Sequence, residues 1–218
     1  VSLQAVQARV DAAAVRSGRV GSDITVVAVS KGHDERAIME VYEQGHRDFG
    51  ENRAQELVVK AAALPTDIRW HFIGPLQRNK VRLVRPTTVL LHSLDRRSLA
   101  AAWLKGPGQA PPALIQVNIG REPQKAGVAP EGTADLLTEA VGLGLRIDGV
   151  MAIPPHFAEP ELVRPFFREL VQMRDDLASD ETPLPIVSIG MTEDFEIAIE
   201  EGSTTIRVGR AIFGPRPE

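Results

Sequence analysis

Eight short runs of β-branched and other apolar residues recur along the chain, each followed by a stretch with helical spacing, and this alternation restricts the fold more than any other feature. The strand candidates are 24–30, 48–50, 69–74, 88–93, 113–119, 146–153, 185–190 and 204–208. Several are nearly continuous apolar runs, the form taken by parallel strands covered on both faces. Between them the spacing predicts helices over 34–44, 53–63, 96–105, 130–143 and 193–201, with the longest over 160–179. A first helix is predicted over 2–17, capped by Ser2. Parallel neighbours need a crossover, and a helix supplies it, so the order implies one parallel sheet. Eight units favour a closed (β/α)8 barrel of the TIM type over a doubly wound sheet, giving an α/β fold with an extra N-terminal helix. In the long helix, Leu162, Phe166, Phe167, Leu170, Met173 and Leu177 form one apolar stripe, read as core packing, and Pro165 belongs in the first turn.

With 218 residues, 43% of them hydrophobic, the chain can bury a full core in one domain, expected to span 1–218. The absence of cysteine rules out disulfides and thiolate metal sites. The 25 basic and 29 acidic residues are interspersed, which is not the basic stripe of a nucleic-acid binder, so small partners are expected. No run is long and apolar enough for a membrane span and the amino end lacks a signal-peptide apolar block, so a cytoplasmic protein is expected. No long apolar surface pattern argues for an obligate dimer, and a monomer is expected.

In a barrel the chemistry lies just after the strands. Lys31 follows the first apolar run directly; it is either a solvated strand-end lysine or an amine desolvated enough to attack a carbonyl. Asn52, after the second strand, is either a helix cap or a ligand contact. His71 lies inside a strand, where histidine is usually a hydrogen-bonded core residue, and His92 with Ser93 stands at a strand end. No ligand spacing joins His71, His92 and His156, so no metal site is expected. The seventh strand ends with Ser188, Gly190 and Thr192, and the eighth with Arg207, Gly209 and Arg210. These are either plain glycine turns or the place where such barrels hold a phosphate. With Lys31 on the adjacent first strand, a phosphorylated aldehyde held as a Schiff base is the economical joint reading. Lys125 is either a second amine near the site or a surface lysine.

The segments VAVSK, FGEN, WHFIGPLQRNK, HSLDR, LIQVNI and IVSIGMTEDFEIAIEEGSTTIRVGRAIFG together resemble the pyridoxal phosphate homeostasis protein family, once called proline synthetase co-transcribed homologues. The resemblance covers nearly the whole chain, and its WHFIG-x-LQ-x-NK segment and glycine-rich end are specific. It implies a barrel like the N-terminal one of alanine racemase, pyridoxal 5'-phosphate as cofactor, and a role in cofactor supply without an established reaction. Lys31 falls at the family's Schiff-base lysine and Asn52 at the FGEN position near the ring. Ser188, Gly190 and Thr192 match its strand-seven phosphate loop, Gly209 and Arg210 its strand-eight turn, and Arg207 the arginine facing the pyridine nitrogen. Thr192 stands where serine is usual, keeping a hydroxyl. Arg210 stands where threonine is usual, exchanging a hydroxyl for a charged donor.

The implied function is a cofactor carrier, not an enzyme, whose partners include pyridoxal-phosphate-dependent apoenzymes. The alternatives are an amino-acid racemase and a cofactor-free lysine aldolase. A racemase of the related type needs two opposed bases, the second usually from an added β-domain; here the chain is read as ending at Glu218 after the barrel, and the sole tyrosine, Tyr42, lies in a helix pattern.

Overall fold

The strands are apolar on both faces, so each must be covered twice, and closure into a barrel wrapped by helices achieves this without leaving an edge. The computed structural model describes residues 2–106 and 108–215; Pro107 and the ends of the expected 1–218 domain, Val1 and 216–218, lie outside the described residues. The strands are β1 (Thr25–Val29), β2 (Asp48–Glu51), β3 (Arg69–Phe72), β4 (Thr88–Leu94), β5 (Ala113–Val117), β6 (Ile147–Ala152), β7 (Ile186–Ser188) and β8 (Thr205–Val208). They pair in parallel in chain order, and β8 returns onto β1 with Thr25 opposite Thr205 and Val27 opposite Arg207. This is the expected (β/α)8 barrel.

The helices are α1 (Leu3–Arg16), α2 (Glu35–Tyr42), α3 (Ala54–Ala63), α4 (Val81–Val84), α5 (Arg97–Leu104), α6 (Thr133–Gly142), α7 (Arg164–Leu177), α8 (Phe195–Glu200) and α9 (Arg210–Phe213). The main core lies between strands and helices. Leu90, Leu114 and Met151, with Ile186 against them, form a separate small cluster. Side chains two residues apart share a face of a strand, so His92 follows Leu90 and Ser188 follows Ile186 on that face. The apolar layer is thus succeeded by a polar one toward the C-terminal ends of the strands.

α1 is the additional helix. The Ser2 hydroxyl accepts the Ala5 N–H at 3.1 Å, and Val6, Val10, Ala13 and Ala14 form its buried face. The stripe expected before and along α7 needs one correction. Leu162 falls in a 3-10 turn (Pro160–Val163) ahead of the helix and is 53% exposed, because the change of pitch takes it off the face that buries Phe167 and Leu170. Pro165 occupies the first turn, where its missing N–H costs no helical bond. Strand seven is shorter than expected, ending at Ser188. No helix among the described residues is long and apolar enough to cross a membrane.

Candidate functional site

Lys31 lies in the turn after β1, and that turn is pinned from below. Lys60 Nζ donates to Ser30 O at 2.8 Å and to Glu51 Oε1 and Glu56 Oε1, each at 2.6 Å. Ser30 Oγ donates to Glu51 Oε1 at 2.7 Å, and the Gly32 N–H to Glu56 Oε1 at 2.6 Å. The backbone is therefore held on both sides of Lys31. Lys60 and Glu51 are buried, with side-chain exposures of 4% and 0%. Burial pushes the Glu51 carboxyl up, opposed by the hydrogen bonds from Lys60 and Ser30.

Lys31 lines a cavity of about 790 Å³ at the C-terminal ends of the strands, together with Asn52, Ile73, Arg207 and Gly209. Asn52 is not a helix cap, since Arg53 takes the N-cap position of α3. Its Oδ1 is buried with no hydrogen-bond partner. A Cβ at Gly74 would stand 2.3 Å from the Asn52 carbonyl oxygen, so glycine there lets the end of β3 pack flush against Asn52. Gly209 works similarly at the seam, where a Cβ would come within 3.2 Å of the Val29 carbonyl oxygen.

Arg207 is buried in β8 and donates to Ser188 O (2.7 Å), Ser188 Oγ (2.6 Å) and Ala152 O (2.9 Å). Burial lowers its guanidinium to about 10, against the pull of the Asp194 carboxylate, so it stays charged at neutral pH. Asp194 is itself pushed up by burial, and its Oδ1 accepts the Met191 N–H at 2.6 Å. A primary amine, a fixed cation and an amide side chain thus line one cavity, a set suited to an anionic carbonyl compound.

A family model described as alanine racemase, N-terminal domain, matches residues 1–217. The pyridoxal phosphate homeostasis protein of Aquifex aeolicus is 41% identical over 220 residues, covering 98% of this chain and 96% of that one. The chain belongs to the pyridoxal phosphate homeostasis protein family. The Escherichia coli K12 relative of the same name is 40% identical over 225 residues, 99% of this chain and 95% of the other. Among solved structures, PipY of Synechococcus elongatus with PLP bound superposes with a TM-score of 0.80 at 32% identity, covering 96% of this chain and 100% of that one.

Of the positions matched to the pyridoxal phosphate homeostasis family's site, Lys31, Asn52, Thr192, Arg207, Gly209 and Arg210 all line the cavity. Arg210 is mostly exposed and paired with Glu193. Ser188 and Gly190 do not line it. The Ser188 hydroxyl is fully buried between Arg207 and His92, whose Nδ1 lies 3.0 Å away, and it is therefore not free for a phosphate. Gly190 has φ 95°, and a Cβ there would meet that of Ala198 at 2.6 Å, so it serves the turn against α8. Lys125 is not a plain surface lysine. It lines the cavity, donating to Pro154 O at 2.9 Å and pairing with Glu122 at 2.6 Å. Tyr42 is off the cavity, with its hydroxyl donating to Asp67. Sequence reasoning missed Lys60 and Glu56. Their i,i+4 spacing was the available signal, but it is the spacing of an ordinary solvent-facing pair. Among the described residues no three His, Asp or Glu side chains are grouped to hold a metal ion.

Proposed function

We propose that this chain holds pyridoxal 5'-phosphate in the Lys31 cavity and serves in the cell's supply of that cofactor without turning over a substrate. The observation that carries the reading is the convergence of Lys31, Asn52 and Arg207 on one cavity in a chain of this family, with the Asn52 Oδ1 left without a partner in the protein. When bound, the cofactor supplies an aldehyde with which a lysine amine condenses to a Schiff base. Lys31 is the residue assigned to that bond, and the pinned turn beneath it fixes the origin of its side chain. Asn52, whose Oδ1 has no partner within the protein, is assigned a place beside the ring. Arg207 is assigned to the ring nitrogen. As a donor that keeps its proton, it would leave that nitrogen unprotonated.

Thr192, the Gly209 backbone and Arg210 are assigned to the phosphate, with Ser188 and Gly190 shaping the wall behind it. The carrier reading is favoured over a racemase by the names of the curated relatives and by Tyr42, which is tied to Asp67 away from the cavity. It takes the protein to act as a cytoplasmic monomer, with cofactor-requiring apoenzymes as the recipients.

The test is reconstitution followed by gel filtration and absorption spectroscopy. The expected result is a visible band that co-migrates with the protein, that borohydride abolishes while fixing the cofactor to Lys31, and that Lys31→Ala lacks. A colourless wild-type protein overturns the reading. Incubating the loaded protein with L-alanine and following its chirality is expected to give no racemisation, and sustained turnover would replace the carrier by a racemase.

A further inference from the structure

Behind the cavity wall, five buried or half-buried side chains from five strands join end to end. Arg207 (β8) donates to Ser188 Oγ (β7) at 2.6 Å, and Ser188 Oγ lies 3.0 Å from His92 Nδ1 (β4). His92 Nε2 lies 2.9 Å from His71 Nδ1 (β3), and His71 Nε2 lies 3.0 Å from Asp48 Oδ1 (β2). The two ends settle the direction of every link. A guanidinium only donates, so Ser188 Oγ accepts at that contact and turns its hydrogen to His92 Nδ1. His92 then carries its hydrogen on Nε2 and gives it to His71 Nδ1. His71, in turn, carries its hydrogen on Nε2 and gives it to Asp48, a carboxylate that also accepts from Arg69.

The opposite direction fails at Ser188. With a hydrogen on His92 Nδ1, the serine oxygen would receive two donors, and among the described contacts its own hydrogen would have no acceptor. Burial, with the Arg207 charge close by, pushes His92 well below the usual imidazole range, which agrees with a neutral ring that donates on one side and accepts on the other. Successive O–H and N–H dipoles therefore align along the chain, each pointing away from the guanidinium and toward the carboxylate, an arrangement that stabilises both charges.

We propose that this one-way relay fixes the orientation of Arg207 at the cavity, making His92 and His71 positioning residues for the cofactor although neither lines the cavity. The role at the cofactor rests on the function proposed above; the relay itself does not. Three of the five guanidinium N–H groups are committed to Ser188 and Ala152, so the plane of Arg207 is set from behind. Through Ser188 that plane depends on the tautomer of a histidine on the other side of the barrel.

The experiment has two arms. In the first, ¹⁵N NMR of the histidine rings in cofactor-free protein at neutral pH is expected to show both His71 and His92 as Nε2–H tautomers. A hydrogen on His92 Nδ1 overturns the relay whether or not any cofactor binds. In the second, Ser188→Ala and His92→Leu in the loaded protein are expected to weaken cofactor retention about tenfold, the worth of one hydrogen bond, and to displace its visible band. His92→Gln, whose amide can still donate and accept, is expected to restore both. Wild-type retention and an unmoved band in Ser188→Ala overturn the positioning role, and that variant, lacking one oxygen atom, decides the matter even where His92→Leu does not fold. A wild-type protein that takes up no pyridoxal phosphate sinks the proposed function alone, since the tautomers still judge the relay.

Discussion

Lys60 commits all three of its N–H groups to Ser30, Glu51 and Glu56 while almost fully buried. Replacing it by methionine leaves the Glu51 carboxylate without its cation, and breaking a buried pair from one side costs about 3–5 kcal/mol. Urea unfolding of Lys60→Met is expected to show a loss of that size, with part of it recovered in the Glu51→Gln, Lys60→Met double variant. Asn52 should behave in the opposite way. Its Oδ1 has no partner to lose, so Asn52→Ala is expected to leave unfolding stability unchanged or raised, while cofactor retention falls about tenfold. Parallel denaturation and dialysis measurements check both halves. That Lys31 and Gly209 line the cavity was legible in the sequence, because a strand end announces both. Ser188 was not, since a serine at a strand end reads the same whether it meets a ligand or a histidine 96 residues away in the chain. Lys60 was hidden because a helical Glu-Lys spacing looks alike in solvent and under a strand.

α1 is held by an apolar face between ion pairs, and the two kinds of contact differ in weight. Val10 is fully buried, whereas Arg9 and Arg16 reach Glu196 and Glu200 of α8 through side chains about half exposed. Val10→Ala is expected to cost about 2 kcal/mol, as large-to-small core changes do. Arg9→Ala is expected to cost less than about 1 kcal/mol, as exposed pairs do. A thermal or urea comparison of the two variants checks the order. Helices of this length were legible from their 3.6-residue spacing. α4 and α9, with four residues each, offer too few positions for a period to register, and Leu162 was misassigned because a 3-10 turn and an α-helix begin with the same apolar spacing.

Across the whole molecule, the sheet's polar layer ties stability to pH. Burial pushes the Asp48 carboxyl up, but hydrogen bonds from Arg69 and His71, with the Arg69 charge, outweigh it and hold the group well below the carboxylate range. Its folded value is thus depressed below the unfolded one of about 4, so the stability it contributes is present above about pH 4 and is lost as pH falls toward the folded value. Asp48→Asn is expected to be less stable than wild type at neutral pH and to lose stability less steeply in acid, as urea titrations across that range can show. The barrel, and with it the return of the eighth strand onto the first, was legible as a count of eight units, but the register of that seam was not, because nothing local in VVAVS or TTIRV names its partner. That closure makes Lys31 and the Gly209 turn neighbours only once the first strand has found the last. A ligand bridging them binds no half-built barrel, and it opposes local opening wherever that opening would part β1 from β8. On the function proposed above, pyridoxal phosphate held by Lys31 and the Gly209 turn would be a clasp on the seam. Its addition should slow hydrogen exchange at Val27 and Ile206 more than at β5, and the protein's resistance to unzipping should vary with the vitamin status of its surroundings.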